Sequence, residues 1–582
     1  MLDNSLVVLD IKQNDGYYAN FKQPSVSFYL SISTHVNDEI SLRVLRRLQS
    51  HFAGLEVDKK DCSSVLYIYK AVYCLIFRKL SFPLYTQPEY EINSSFDIFC
   101  VFPHLGHSQK FMRELLNWVS NYTLALMSDC ENDAQNFKRQ LPIILKKVEA
   151  DGLRGQNNKN IIKTSFELDV PWLKISSAIV QLGWGTGSKW FSSSIGPKTS
   201  AIGANVAKDK LQTTNLLRQI GFPILPNKYI CTSEDALVFA RHYGFPVVIK
   251  PIYGSKGKGV YSNIKNEQDL LIAFNKCYKD FKPILIEKFF LGKDYRFLVI
   301  DQEVVRVVER IPCTIVGDGE QSIQELIDTQ NKLRLQEYLG FGNIQIDNEI
   351  VSKLKIRNLS LKSVLAKGEH FRLRDISNVS LGGRSVSVIE NAHPDNVSLA
   401  REAAANLRLD IAGVDILLPD ISISWKQSGA HICEVNLQPQ MPSTFPAQII
   451  KGHFRNNGRI PVIVCVVDSV DELSDLLEYN SSKFAIIAIS ERSKTANREF
   501  SYNKKFISAI KNVATNSILF IYNTTDVLDR KVFPFDVCDT VFNFTNANLE
   551  SENLFLRANG YKLKKPKESY FFISDLISMG KV

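Results

Sequence analysis

Residues 245–260 read FPVVIKPIYGSKGKGV, which sets Lys250 at the end of an apolar run and then Gly254, Gly257 and Gly259 among Ser255, Lys256 and Lys258. Backbone without Cβ atoms lets N–H groups approach an anion closely, and the lysines add positive charge. The ligand this favours is a nucleoside triphosphate; the same stretch also fits a glycine-rich hairpin with solvated lysines. Neither a Walker loop nor a G-x-G-x-x-G fingerprint is present. Downstream, alternation in Glu434-Val435-Asn436 puts Glu434 and Asn436 on one face of a strand, and Asp415 lies in a second apolar run. Three oxygen donors brought together this way suit Mg²⁺, which prefers carboxylates plus substrate phosphates. Between these stretches, Glu287 closes the apolar run ILIE and Asp294 follows. A strand end of this kind offers an apolar slot for a base and carboxylates for ribose hydroxyls. His104 and His107 lie close in sequence but lack further ligands, so they read as surface histidines.

The elements that must position these groups follow from periodicity. Alternation predicts strands over 25–33 and 96–102, and helical spacing covers 40–52 and 108–126. Residues 151–159, DGLRGQNNK, read as a linker. Gly183, Gly185 and Gly187 suggest either a second phosphate loop or a tight turn between strands, and the turn is favoured. From Thr199, Ala204, Ala207, Leu211 and Leu216 share one side of a single helix that holds Lys208 and Lys210 and stops at Gly221. A strand (229–231), a helix (233–242), the lysine–glycine stretch and the strand 284–287 come next. Residues 297–300 and 304–308 then form a hairpin around Asp301 and Gln302.

With 582 residues, 45% of them apolar, the chain has room for about three or four domains. A net charge of +9 is modest at this length, and the cluster Lys562, Lys564, Lys565 and Lys567 reads as a solvated tail, not a nucleic-acid surface. Ten cysteines without a C-x-x-C pair read as reduced core residues of a cytoplasmic protein. The residues after Met1 do not resemble a secretory leader, and no apolar run reaches the ~20 residues that span a bilayer.

Taken in order, nine stretches resemble the ATP-grasp carboxylate–amine ligases, and among them the ATP-grasp half of cyanophycin synthetases. They are Gln181-Leu182-Gly183-Trp184-Gly185, Asp209-Lys210, residues 248–260, 287–296, 309–320 and 373–383, His393-Pro394-Asp395-Asn396, Gly413-Val414-Asp415 and Glu434-Val435-Asn436. The resemblance implies an α/β (α+β) ATP-grasp fold flanked by an N-terminal and a small C-terminal α/β domain, divided as 1–160, 161–456 and 457–582. It further implies ATP and two Mg²⁺ ions as cofactors, a ligase forming an amide through an acyl phosphate, and amino acid or peptide substrates in a homo-oligomer. Its site residues would be Lys210, Lys250 and the loop Gly254, Ser255, Lys256, Gly257 and Gly259 on the phosphates. Glu287, Lys288 and Phe289 would hold adenine and Asp294 the ribose. Asp415, Glu434 and Asn436 would hold metal, Arg374 and Arg296 would be catalytic, and Asn378, Ser380, Gly382 and Gly383 would line the acceptor side. A glutathione-type or γ-glutamyl ligase shares the same fold and chemistry, and a non-catalytic ATP-binding scaffold is a third possibility.

Two departures stand out. Leu437-Gln438-Pro439-Gln440-Met441 replaces the small residues and Pro-Gly that usually follow Glu-x-Asn in the family. Gly458-Arg459-Ile460-Pro461 is followed by VIVCVVDSVDE where the family has a Walker loop opening a Mur-ligase-like domain. Strands over 462–467, 484–490 and 518–522 and a helix over 469–477 predict a small α/β remnant without a nucleotide site.

Overall fold

The protein is described here by a computed structural model covering residues 5–14, 23–80, 82, 84–92, 97–252, 259–337, 343–374, 377, 381–441, 446–454, 456–468, 485–488, 506–523, 538–543, 545 and 562–564. It has two compact units: Lys198–Pro439, and a unit assembled from Met1–Pro197 with Gln440–Val582. These limits cut across the division 1–160, 161–456 and 457–582.

The second-named unit begins with β1 (Leu6–Asn14), β2 (Ser25–Ile32), α1 (Asp38–His51), α2 (Val65–Lys79), β3 (Glu89–Ile92), β4 (Asp97–Pro103) and α3 (Gln109–Met127). The four strands form an antiparallel sheet ordered β1-β2-β4-β3. Alternation along β2 buries Phe28, whose ring lies 6.2 Å from Tyr69 on α2 and 5.1 Å from Phe102 on β4. His104 and His107 are buried, not on the surface: His107 N–H donates to His104 Nδ1 (3.1 Å), and His107 Nε2 lies 3.1 Å from the Val148 carbonyl. They satisfy the backbone of a turn.

The expected linker is also corrected. Residues 151–159 join α4 (Glu131–Asp151) directly to α5 (Gln156–Glu167), and Asn157, Asn158, Lys159 and Asn160 are buried. Their polar character serves the backbone: the Asn158 amide donates to the carbonyls of Arg154 (2.8 Å) and Ala178 (3.0 Å), and Asn157 accepts from Met441 N–H (3.0 Å). The chain continues through β5 (Trp172–Lys174), β6 (Val180–Leu182) and β7 (Lys189–Phe191), an antiparallel trio.

The unit Lys198–Pro439 opens with two helices where one was expected, α6 (Ala201–Lys208) and α7 (Lys210–Gln219). Asp209 separates them by leaving the helical backbone region, and its carboxylate accepts from the N–H groups of Leu211 (2.9 Å) and Gln212 (3.0 Å). Then come β8 (Asn227–Ile230), α8 (Ser233–Tyr243), β9 (Val247–Pro251), β10 (Tyr261–Ile264), α9 (Glu267–Asp280) and β11 (Ile284–Lys288). Their strands form an antiparallel sheet ordered β10-β9-β11-β8. One face, including Ile230, Val247, Ile249, Ile284 and Ile286, shares a core with Phe239 and Ala240 of α8 and Leu270 and Phe274 of α9.

The next hairpin is as expected: β12 (Lys293–Ile300) and β13 (Glu303–Ile311) turn at Asp301 (φ 48°) and Gln302 (φ 66°), the two positive φ values that suit strand twist in a two-residue loop. After β14 (Thr314–Val316), α10 (Ile323–Glu337), α11 (Asn348–Ile356) and β15 (His370–Arg372), which share a small core of their own, the chain adds β16 (Arg384–Ser387). It then forms α12 (Pro394–Asn406), β17 (Ile411–Leu418), α13 (Trp425–Ser428) and β18 (His431–Asn436). The second sheet of this unit is ordered β16-β13-β12-β17-β18, antiparallel throughout. Helices with two antiparallel sheets agree with the α+β class the resemblance implies.

Back in the other unit, α14 (Pro446–Lys451) precedes β19 (Val462–Val467), β20 (Ala485–Ala488), β21 (Ile518–Asn523), β22 (Thr540–Asn543) and β23 (Lys562–Lys564), a parallel sheet ordered β20-β21-β19-β22-β23. Strands occur where the sequence put them; the helix expected over 469–477 lies outside the described residues. Val462, Val464, Ile518 and Phe520 share a core with Leu173 and Trp184. The Gly183–Gly187 region is the tight turn favoured over a phosphate loop: Trp184 N–H donates to the Gly458 carbonyl (2.7 Å) and Thr186 N–H to the Thr515 carbonyl (2.8 Å). A Cβ on Gly185 would stand 2.1 Å from the Thr515 carbonyl oxygen.

Candidate functional site

Antiparallel register places the charged groups of the five-stranded sheet together. Arg296 on β12 is opposite Asp415 on β17, Asp415 is opposite Glu434 on β18, and Asp294 is opposite Arg310 on β13. Opposed residues share a face, as do residues two apart, so Asp294, Arg296, Arg310, Asp415, Glu434 and Asn436 all project from one side.

Asp415 is the centre of this array and is buried. Arg296 grips it with two bonds, Nε to Oδ1 (2.7 Å) and Nη2 to Oδ2 (2.8 Å), the fork geometry in which guanidinium matches carboxylate. Arg310 Nη2 reaches the same Oδ2 at 3.0 Å while also donating to Asp294 Oδ1 (2.7 Å), and Asn436 Nδ2 donates to Asp415 Oδ2 (3.2 Å). Burial alone would raise the Asp415 carboxyl; the Arg296 and Arg310 guanidiniums overcome that and hold it below the usual carboxylate range. Beside it, Lys210 begins α7, fixed by the Asp209 cap, with its ammonium 3.6 Å from Glu434 Oε1. A small cleft here is lined by Lys210, Thr213, Thr214, Cys433 and Glu434.

On the four-stranded sheet, Lys250 of β9 and Glu287 of β11 form a buried ion pair at 2.7 Å. Burial pulls the Lys250 ammonium down, yet the Glu287 carboxylate outweighs it and keeps the amine above its ordinary range. Lys250 is therefore a fixed cation on a rigid strand. Gly259 has φ +73°, and a Cβ there would meet the Phe281 ring at 2.6 Å. Gly254, Ser255, Lys256 and Gly257 lie outside the described residues.

Lys288 and Phe289 are spoken for in part. The Lys288 ammonium donates to the carbonyls of Gly244 (2.9 Å) and Phe245 (3.0 Å), and the Lys288 and Phe289 N–H groups donate to Pro226 (3.0 Å) and Pro246 (3.1 Å) carbonyls. Their edges toward a base are thus limited to carbonyls and side-chain surface. Asp294, expected to meet ribose, is bonded to Arg310.

Arg374 is not brought to this array by any contact the structure shows. Its buried guanidinium donates to Glu349 Oε2 (2.7 Å), Asp347 Oδ2 (2.8 Å) and the Gln345 carbonyl (2.8 Å), tying it to the start of α11. Gly382 and Gly383 are also held structurally: both carbonyls accept from Arg334 Nη1 at 3.0 Å, and Gly382 has φ +97°. Asn378 and Ser380 lie outside the described residues. Sequence reasoning missed Arg310, although it sits in the run Glu309-Arg310-Ile311-Pro312; the signal was its position opposite Asp294 once the hairpin turn fixed the register.

Two carboxylates and an amide in register are hard oxygen donors, so their chemistry fits a divalent cation such as Mg²⁺. Among the described residues no group of three or more His, Cys, Asp and Glu converges, and the Asp415 oxygens are shared by four nitrogens from Arg296, Arg310 and Asn436.

Residues 207–314, which hold Lys210, Lys250, Glu287, Asp294, Arg296 and Arg310, match the model of the RimK-like ATP-grasp domain. The chain is 31% identical over 340 residues to the cyanophycin synthetase of Trichormus variabilis, covering 55% of this chain and 37% of that protein. It is 33% identical over 248 residues to the glutathione biosynthesis bifunctional protein GshAB of Clostridium perfringens, covering 42% of this chain and 32% of that one. A solved bifunctional glutathione synthetase from Pasteurella multocida aligns over 73% of this chain and 80% of its own, at 15% identity and a TM-score of 0.39. The chain spans less than half the length of the curated relatives it matches. The ATP-grasp resemblance holds over the stretch that carries most of the site.

Proposed function

We propose that this chain is an ATP-dependent carboxylate–amine ligase that joins the carboxylate of an amino acid or peptide to an amino acid amine, releasing ADP and phosphate. The observation that carries this reading is the one-sided array of Lys210, Arg296, Arg310, Asp415, Glu434 and Asn436, much of it within the RimK-like ATP-grasp match.

A carboxylate does not react with an amine near neutral pH because oxide is its leaving group. Transfer of the γ-phosphoryl group converts it to an acyl phosphate, phosphate becomes the leaving group, and the amine attacks through a tetrahedral oxyanion. The residues have mainly to orient and to balance charge. Lys210 and Lys250 meet the phosphates, with Gly254, Ser255, Lys256, Gly257 and Gly259 covering them. Glu287, Lys288 and Phe289 take the base, and Asp294 the ribose. Asp415, Glu434 and Asn436 would hold two Mg²⁺ ions, which would supply positive charge against the triphosphate. Arg296 and Arg310 supply fixed positive charge beside Asp415 and, with Arg374, suit the acyl phosphate and oxyanion.

A glutathione-type or γ-glutamyl ligase is the second reading, favoured by the similarity to the GshAB protein over 42% of the chain. Cytoplasmic location and homo-oligomeric assembly belong to the proposal as well; among the described residues no helix is long and apolar enough to cross a membrane. The test is Mg²⁺-dependent phosphate release from ATP, screened over amino acid and dipeptide mixtures. ADP and phosphate with an amide product are expected; AMP and pyrophosphate would overturn the acyl-phosphate route.

A further inference from the structure

One face of the sheet β10-β9-β11-β8 packs on α8 and α9, and the alternate residues of its strands lie on the other face. Glu287 on β11 is opposite Asn227 on β8, and Leu285, on the same face, is opposite Lys250 on β9. Alternation therefore puts Lys250, Glu287 and Asn227 side by side.

Asn227 is held firmly in place. The connector before it is bonded on both flanks: Ile432 N–H donates to the Pro223 carbonyl (3.1 Å), Leu225 N–H to His431 Nδ1 (3.2 Å), and Lys288 N–H to the Pro226 carbonyl (3.0 Å). Yet among the described residues neither atom of the Asn227 amide has a hydrogen-bond partner, and both are shielded from solvent. Glu287 Oε2 is likewise shielded, and among the described residues its partner is the Lys250 ammonium. A buried amide with both its donor and its acceptor unmet is costly in a folded protein and is rarely retained without a ligand or water to meet it. An asparagine kept for packing would be better replaced by leucine.

We propose that Asn227 is a specificity-determining residue that, beside Glu287, reads the amino edge of an adenine base. This rests on the ligase reading above for the presence of a nucleotide. Adenine presents an amino donor next to a ring-nitrogen acceptor, and an asparagine amide matches both at once. Guanine presents a carbonyl oxygen where adenine has its amino group. An ionised Glu287 only accepts, so it rewards the amino group and repels that oxygen.

The test compares wild type with Asn227→Leu, a substitution of similar size without polar atoms. Binding of the non-hydrolysable analogues AMPPNP and GMPPNP is measured by calorimetry, together with the melting temperature of the nucleotide-free protein. The expected result is AMPPNP binding weaker by about tenfold or more, a fall of similar size in the AMPPNP:GMPPNP preference, and a nucleotide-free melting temperature that is equal or higher. An unchanged preference overturns the inference and leaves the ligase reading standing; a wild type that binds neither analogue overturns both. A lower nucleotide-free melting temperature with unchanged preference identifies a structural asparagine and also overturns it. If Asn227→Leu does not fold, Asn227→Ser, which is too short to span the base edge, decides by the same preference ratio.

Discussion

Asp415 holds its position through three donors, and each can be removed singly. Arg310→Met leaves Asp294 without its guanidinium and Asp415 with one fewer, and should lower stability by about 1.5–3 kcal/mol in urea unfolding. Glu434→Gln is different in kind. Its carboxyl is about one-third exposed and among the described residues pairs with Lys210 at 3.6 Å, so the fold should survive. ADP release at saturating Mg²⁺ should fall by roughly two orders of magnitude, in line with losing one stabilising group at a charged transition state; unchanged turnover would mean the metal donors are elsewhere. That Glu434 and Asn436 share a face was legible because strand alternation needs only a short window. Arg310 was not, because its partner Asp294 stands 16 positions away across a hairpin. Asn227 was invisible for a similar reason: its neighbour Glu287 is reached only through sheet pairing.

Asp209 decides what α6 and α7 can do. Hydrophobic spacing ran straight through it, which is why one helix was expected; a carboxylate capping two N–H groups outweighed periodicity and set Lys210 at a helix start. Asp209→Ala should cost about 1 kcal/mol of stability. It should also weaken ATP binding in calorimetry, since Lys210 loses its fixed base. The glycines divide along similar lines. Gly185 (φ +48°) faces the Thr515 carbonyl, whereas Gly221 (φ +90°) has nothing near where a Cβ would be. Gly185→Ala should lose about 2–4 kcal/mol, combining left-handed strain with overlap, and Gly221→Ala only about 1 kcal/mol. Equal losses in thermal unfolding would remove the close approach to the Thr515 carbonyl as an explanation for Gly185. Residues 151–159 show the opposite error: an asparagine-rich stretch looks like a linker until its amides are seen to serve buried backbone.

Across the whole molecule, buried histidines set the response to acid. Burial pushes His107 and His431 down to about 4, with the Val148 carbonyl and the Glu287 carboxylate respectively opposing it. Both are neutral when folded and take up a proton on unfolding once the pH drops below ~6.5. Their contribution is complete above that value, is lost progressively between ~6.5 and 4, and is level below. Melting temperature should therefore start to fall near pH 6.5, before carboxylates titrate, at up to ~1.4 kcal/mol per histidine per pH unit. Deleting 461–582 would uncover Leu173 and Trp184, so solubility should fail before ATP affinity does in whatever stays soluble. The parallel sheet has a further consequence, for biosynthesis. A ribosome delivers Trp184 and then all of Lys198–Pro439 before Val462 and Phe520, the residues that cover Trp184, leave the exit tunnel. Throughout that interval the indole lacks the part of its core that the later strands supply, so a pause downstream of residue 439 should be when nascent chains most readily engage holdase chaperones, and a Trp184→Ser chain should engage them less.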